Sequence, residues 1–319
     1  MSEITVLVLA RRGDPGLAAL ARLPAGTRAL VAHDLEGALP LAPSADALLV
    51  ATGNARLLEA VWRQAPRVRW IHTRPAGVDH LLFPALVQSP VPMTNSRGVF
   101  SAALAEFALL GLAFFLKDVP RMLRNQASAR WEPYEPIALR GRALGIVGFG
   151  DIGRAVAARA RPLGVRILAL RRSSAPDPLA DEVLPAARLL EMAARADDLV
   201  VATPLTAETK GLIGEGVFAA LRPGAVLVNL GRGPVVDETS LLAALDQGRL
   251  RGAALDVFEQ EPLPSDHPFW RMDSVLVSPH TADRTAGWEV DTMEVFLENL
   301  RRFRDGEPLL NPVDKGLGY

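Results

Sequence analysis

Apolar residues fall along this chain in short unbroken runs rather than in alternating patterns. In the first part these runs cover 4–10, 46–51, 68–73 and 91–94, rich in Val, Ile and Leu and bounded by turn residues. Stretches of helical period, such as 54–64, lie between them. Continuous apolar strands alternating with helices predict a parallel sheet covered on both faces. The segment PVPMTNSRG (90–98) interrupts the pattern with Pro and polar residues. A long helix is then predicted from Ser101 to Ala129, kinked at Pro120, and WEPYEPIALRGR (131–142) reads as loop. A second strand series follows at 143–148, 165–170, 198–203, 225–230, 252–257 and 275–279, and a last helix covers roughly 287–304.

The predicted class is therefore α/β with doubly wound parallel sheets. The first strand series is short for a closed layer, while the last helix and the tail EPLLNPVDKGLGY are surplus to the second. Returning the C-terminus to the first series resolves both. This predicts one domain from 1–97 plus 287–319 and another from 98–286, with chain crossings near 96–100 and 284–290.

Composition narrows the function. A chain of 319 residues suits two domains. Its formal net charge is -1, and no Lys/Arg-rich block with interleaved aromatics occurs, which argues against nucleic acid and anionic membrane partners. With no cysteine, thiol nucleophiles, disulfides and thiolate metal sites are excluded. The run Ile4–Ala10 is too short for a membrane span and lacks a basic leader. The apolar stretch 102–116 is interrupted by Glu106 and ended by Lys117, which suits a buried helix. A soluble, cytoplasmic protein is expected.

Gly148-Phe149-Gly150-Asp151-Ile152-Gly153 fits G-x-G-x-x-G between a predicted strand and a predicted helix. In that context the loop is expected to hold a dinucleotide pyrophosphate on the helix N-terminus. An NAD site carries an acidic residue roughly 20 residues on, bonded to the ribose 2′-OH. Here the next strand ends in Arg171-Arg172-Ser173-Ser174. Guanidinium groups pair with a 2′-phosphate, so NADP(H) is expected over NAD(H), which stays possible.

In parallel α/β sheets, ligands bind beyond the carboxyl ends of the strands. Taken in order, the remaining predicted strands run into Thr203-Pro204, Gly231-Arg232-Gly233, Asp256 with Glu261, and His280-Thr281-Ala282. Singly, these are a surface Arg, a solvated Glu and a core His. Together at one edge with a dinucleotide, they suggest hydride chemistry. His280 is the natural proton donor for a carbonyl oxygen near neutral pH. Glu261 is placed to orient it and raise its pKa, and Arg232 to polarise the carbonyl or grip a carboxylate. The scheme needs no metal, and the His spacing offers no zinc motif.

These motifs, GIVGFGDIG, VVATPLTAETKGLI, AVLVNLGRGPVVDETSLLAAL, GAALDVFEQEPLP and VLVSPHTA, resemble those of the D-isomer-specific 2-hydroxyacid dehydrogenases. The resemblance implies two Rossmann-like domains, the first flavodoxin-like, with an active-site cleft between them, and a homodimer. It implies Arg232, Glu261 and His280 as catalytic residues. In RPAGVDHL (74–81) it implies that backbone N–H groups of Ala76 and Gly77 hold the substrate carboxylate, with Arg74 as a neighbour. It further implies cofactor contacts at Thr203, Pro204, Leu230, Gly231, Asp256 and Ala282. Glu106 and Trp131 are more ambiguous: each suits an interdomain or dimer contact as well as a site. Arg171 departs from the family's usual acidic residue. The chain's short tail leaves no room for the regulatory domain of many phosphoglycerate dehydrogenases, and the Glu–His pair argues against formate dehydrogenase. The expected activity is reduction of glyoxylate, hydroxypyruvate or a similar 2-keto acid to the D-2-hydroxy acid. The alternatives are a bulkier keto acid or a non-enzymatic dinucleotide sensor on the same fold.

Overall fold

The computed structural model describes residues 3–319. The chain divides into two compact units, Met1–Val99 with Ala286–Tyr319, and Phe100–Thr285.

In the first unit, β1 (Ile4–Leu9), β2 (Thr27–Ala32), β3 (Ala47–Val50), β4 (Trp70–Thr73) and β5 (Met93–Asn95) form a parallel sheet ordered β2-β1-β3-β4-β5. Side chains alternate across it. Leu7, Leu9, Leu48, Val50 and Ile71 pack on one face against Leu57, Leu58 and Val61 of the helix Ala55–Arg63. Val6, Val8, Leu49 and Trp70 pack on the other against Met293, Phe296 and Leu300 of the helix Trp288–Asp305. Trp70 and Phe296 stack with centroids 5.8 Å apart. Burying a side chain such as Phe296 stabilises by roughly 1.5–3 kcal/mol. The C-terminal helix is thus part of this core. Beyond it, Val313 N–H donates to Met93 O at 2.8 Å and ties the tail to β5.

In the second unit, β6 (Ala143–Val147), β7 (Arg166–Arg171), β8 (Glu182–Pro185), β9 (Asp198–Val201), β10 (Ala225–Asn229), β11 (Leu250–Leu255) and β12 (Val275–Val277) form a parallel sheet ordered β12-β11-β10-β9-β6-β7-β8. Strand order reverses at β6, which pairs with β7 on one side and β9 on the other. The two doubly wound sheets establish the expected fold class.

The helix Ser101–Leu116 covers part of one face with the stripe Leu104, Ala108, Gly111, Leu112 and Phe115. It lies so close to β11 that a Cβ on Gly111 would fall 2.5 Å from Ala254 Cβ. The long helix expected over 101–129 is two helices. The first ends at Leu116, Asp118 adopts a left-handed conformation with φ 53°, and Val119–Ala127 starts afresh. Pro120 sits in the first turn of that second helix, where its missing N–H costs nothing, so it starts a helix rather than kinking one. Two strands escaped the sequence pattern, β2 and β8. Both are sheet edges with half-exposed, mixed-polarity residues.

Candidate active site

The glycine loop joins β6 to the helix Asp151–Ala160. Gly148 has φ 90° and packs against the backbone of Ala202, so a side chain there meets main chain at 2.6 Å. A Cβ on Gly153 would stand 2.3 Å from Gly148 O, which forces glycine where helix and loop touch. Gly150 differs: a Cβ there meets nothing within 4 Å. The space over it is open beside the first N–H groups of the helix, a cradle suited to a pyrophosphate. Phe149 is buried. Ile152 is half-buried. The Asp151 carboxylate accepts the Ser101 hydroxyl, so that side chain is tied to the start of the helix Ser101–Leu116.

At the end of β7, Arg171 donates to Ser173 O at 3.1 Å and Ala175 O at 2.6 Å. Its Nη1 lies 3.5 Å from Oδ2 of Asp177, which is buried and also paired with Arg154. Arg171 therefore holds the turn 172–177 closed while remaining a quarter exposed (24%). Arg172 and Ser173 are exposed on that turn.

Asp256, just past β11, is buried and anchors the far edge. Its Oδ1 accepts Ser278 Oγ at 2.5 Å, Thr281 N–H at 2.9 Å and Ala282 N–H at 3.0 Å. These bonds fix the turn that carries His280, a non-glycine residue held at φ 52°. His280 Nδ1 lies 2.7 Å from Glu261 Oε2, and Glu261 Oε1 accepts the Phe258 N–H at 3.0 Å. The carboxylate fixes the tautomer: Nδ1 carries a proton, and Nε2 has no partner among the described residues. The Glu261 hydrogen bond, with its charge and that of Asp256, raises the His280 pKa against burial and the Arg232 charge. Burial pushes Glu261 up, but the His280 and Phe258 hydrogen bonds and the charges of His280 and Arg232 outweigh it and hold Glu261 low.

Arg232 follows β10 through Leu230 and Gly231, both buried. Its Nη1 donates to Gly231 O at 2.9 Å. Asn229 shapes this corner, accepting Gly231 N–H at 3.1 Å and donating to Arg232 O at 3.2 Å. Thr203 and Pro204, after β9, are half-buried, and Thr203 O stands 2.5 Å from where a Gly231 Cβ would lie. The structure thus brings the glycine loop, Arg171, Thr203, Arg232, Asp256, Glu261 and His280 to the carboxyl edge of one sheet. Among the described residues, no group of three or more His, Asp or Glu could hold a metal.

The loop 74–77 lies in the first unit, after β4. Asn95 Nδ2 donates to Ala76 O at 2.6 Å, which orients the loop. Nothing among the described residues accepts from the backbone N–H of Ala76 or Gly77. The Arg74 side chain is sequestered: it makes a buried two-pronged pair with Asp14 at 2.6 and 2.8 Å and lies over the Trp288 ring. Both terminal nitrogens are taken by Asp14 and the side chain is buried, so the guanidinium is not a free cation beside the loop.

Asn229, Ser278, Asp177 and Asn95 were not singled out from the sequence. Asn229 and Asn95 each end a strand, a position where a buried amide signals a shaped turn. Ser278 and Asp177 bond residues distant in sequence and give no local sign.

Residues 109–282 match the model of the D-isomer specific 2-hydroxyacid dehydrogenase NAD binding domain. The chain is 36% identical over 264 residues to a glyoxylate reductase of Korarchaeum cryptofilum, covering 80% of this chain and 79% of that one. It is 36% identical over 270 residues to a glyoxylate reductase of Thermococcus gammatolerans, covering 81% and 80%. A D-isomer specific 2-hydroxyacid dehydrogenase from Xanthobacter autotrophicus Py2, solved with NADPH and MES, superposes with a TM-score of 0.84 at 31% identity over 100% of both chains. An NADPH-dependent glyoxylate/hydroxypyruvate reductase from Sinorhizobium meliloti, solved with NADP and sulfate, superposes with a TM-score of 0.87 at 27% identity over 99% of this chain and 100% of that one. The chain belongs to the D-isomer specific 2-hydroxyacid dehydrogenase family of NAD(P)-dependent oxidoreductases.

Proposed function

We propose that the protein reduces a small 2-keto acid, such as glyoxylate or hydroxypyruvate, to the D-2-hydroxy acid with NADPH. The observation that carries this reading is the Glu261–His280 pair at 2.7 Å, with Arg232 beside it on the carboxyl edge of a dinucleotide-type sheet. The glyoxylate reductases among the relatives and the NADP-bound neighbours support it.

The residues present fit a nicotinamide dinucleotide. The helix N-terminus at Gly150 would hold the pyrophosphate. Arg171, Arg172 and Ser173 would hold the 2′-phosphate. Thr203, Pro204, Leu230, Gly231 and Ala282 would flank the nicotinamide half, and Asp256 has Oδ2 left for the carboxamide once Oδ1 is filled. When bound, the reduced cofactor supplies a hydride to the keto carbon. The chain's own groups do the rest. The N–H groups of Ala76 and Gly77 bind the carboxylate, and Arg232 polarises the keto oxygen as charge develops there. Protonated His280 gives its Nε2 proton to that oxygen, while Glu261 keeps the imidazole oriented and charged until it does. The reductive direction fits the reduced NADP(H) pool of the cytoplasm.

We also assign a homodimer. Leu110, Met122 and Leu123 expose 54%, 43% and 55% of their surface, and Trp131 exposes 96%. Large apolar side chains grouped on one stretch of chain suit a protein interface. Among the described residues no helix is long and apolar enough to cross a membrane.

The test mixes purified protein with NADPH or NADH and a panel of 2-keto acids while nicotinamide absorbance is followed. Turnover of glyoxylate or hydroxypyruvate with lower KM for NADPH is expected. Failure on every small keto acid sinks the enzymatic reading; a lower KM for NADH sinks the cofactor preference.

A further inference from the structure

The turn after β7 ends on a buried charge. Residues 172–176 are exposed, but Asp177 is buried. Its Oδ1 accepts the Leu179 N–H at 3.1 Å, and its carbonyl accepts the Ala180 N–H at 3.0 Å. Asp181 then ties the chain back to β7: its Oδ2 accepts the Ile167 N–H at 2.7 Å, and its own N–H donates to Ile167 O at 3.0 Å. The Asp177 carboxylate is therefore held in place and does not turn out into water.

Two guanidinium groups meet its other oxygen. Asp177 Oδ2 accepts Arg154 Nη1, and Arg171 Nη1 lies 3.5 Å from the same atom. The contacts are unequal. Arg154 is in direct contact, whereas 3.5 Å exceeds the usual N–H···O distance. Arg171 spends its other nitrogens on its own turn, donating from Nε to Ser173 O at 3.1 Å and from Nη2 to Ala175 O at 2.6 Å. Arg154 stands on a different element. It follows Gly153 in the helix Asp151–Ala160, and its N–H donates to Gly150 O at 3.0 Å. Its side chain is partly exposed.

A buried carboxylate without a close cation is strongly unfavourable, so Asp177 pairs with whichever guanidinium can reach it. With Arg154 present, the two arginines and one carboxylate carry one net positive charge. Without Arg154, Arg171 is the cation left to neutralise Asp177, and the net charge is zero. Away from bulk water such a difference is felt more strongly than at an exposed surface.

We propose that Arg154 is a positioning residue for cofactor selection: by neutralising Asp177 it keeps the Arg171 guanidinium available to the 2′-phosphate of NADPH. The preference then depends on a residue of the glycine-loop helix that has no need to touch the phosphate. This rests on the NADPH reading above.

The test measures Kd by calorimetry for NADPH and NADH. It also uses adenosine 2′,5′-bisphosphate and 5′-AMP, which differ by the 2′-phosphate and carry no nicotinamide. The wild type is compared with Arg154→Gln, Asp177→Asn and the double variant, and thermal melting checks that each is folded. Arg154→Gln is expected to lower the ratio of NADH Kd to NADPH Kd about tenfold, and the ratio of AMP to bisphosphate likewise. Asp177→Asn is expected to raise both ratios. The double variant has the net charge of the wild type at this turn and is expected to recover most of the loss. A ratio unmoved by Arg154→Gln overturns the proposal. A ratio that stays low in the double variant also overturns it, because Arg154 then acts on the phosphate itself or on the shape of the turn. If Arg154→Gln does not fold, Asp177→Asn decides: a raised ratio upholds the proposal and an unmoved one overturns it. If the wild type binds NADPH and NADH equally, the reading of the cofactor preference fails by itself. A ratio that still falls in Arg154→Gln and recovers in the double variant upholds the coupling.

Discussion

Glu261 grips His280 through Nδ1 at 2.7 Å while its other oxygen is held by the Phe258 N–H at 3.0 Å. One carboxylate thus sets both the direction and the charge of the imidazole. In the proposed reaction, reduction consumes the protonated form, so its rate is expected to be full below the His280 pKa and to fall as pH rises through it. Because Glu261 raises that pKa, Glu261→Gln is expected to move the alkaline limb of kcat for keto acid reduction to lower pH. A limb that stays in place contradicts the pairing as the source of the raised pKa.

Arg171 and Asp177 meet at the end of β7, where the proposed reading puts the cofactor's 2′-phosphate. Arg171 offers a guanidinium where a 2′-phosphate is expected, yet Asp177 lies 3.5 Å from it and also holds Arg154. Arg171→Ala is expected to raise KM for NADPH about ten- to a hundredfold, as for loss of a charge-assisted bond, with little change for NADH. Asp177→Asn keeps the shape but removes the competing charge, so the ratio of KM for NADPH to KM for NADH is expected to fall. Paired kinetics with both cofactors decide this; equal changes for NADPH and NADH contradict it.

His72, in β4 of the first sheet, is wholly buried next to Trp70 and Phe296. Its Nδ1 is 2.8 Å from Thr94 Oγ1, which also accepts the Trp70 indole N–H at 2.9 Å. Burial lowers its pKa from 6.5 to about 3. Between those values the unfolded chain binds the proton and the folded chain does not. Stability from keeping His72 neutral is therefore present above pH 6.5 and lost as pH falls toward 3. His72→Gln is expected to be less stable at pH 7 through poorer packing, and to lose less on acidification. Denaturant melts of both proteins from neutral to acid pH measure the slope, and equal slopes contradict the assignment.

Where the candidate residues lie was largely legible because parallel sheets gather ligands at strand ends, and strands here are continuous apolar runs. Gly148, Arg232, Asp256 and His280 each follow such a run, so locating the run located the residue. What stayed hidden depended on contacts across the sheet. Arg74 reads as a free cation beside a loop, yet Asp14, far away in sequence, claims both its terminal nitrogens. Asp177 gives no local sign in the sequence, yet folding buries it between two arginines. Pro120 reads as a kink because the pattern on either side is helical, and only the left-handed turn at Asp118 reveals two helices. The edge strands β2 and β8 were missed because an exposed edge needs no apolar run.

The central claim is that His280 delivers the proton that completes keto acid reduction. The most direct measurement is the single-turnover rate of NADPH oxidation by a 2-keto acid in His280→Ala, set beside the NADPH Kd of the same variant. The account predicts a rate lowered by about a hundredfold to ten-thousandfold with the Kd within about twofold of wild type. A near-normal rate at unchanged Kd contradicts it and places the proton donor elsewhere.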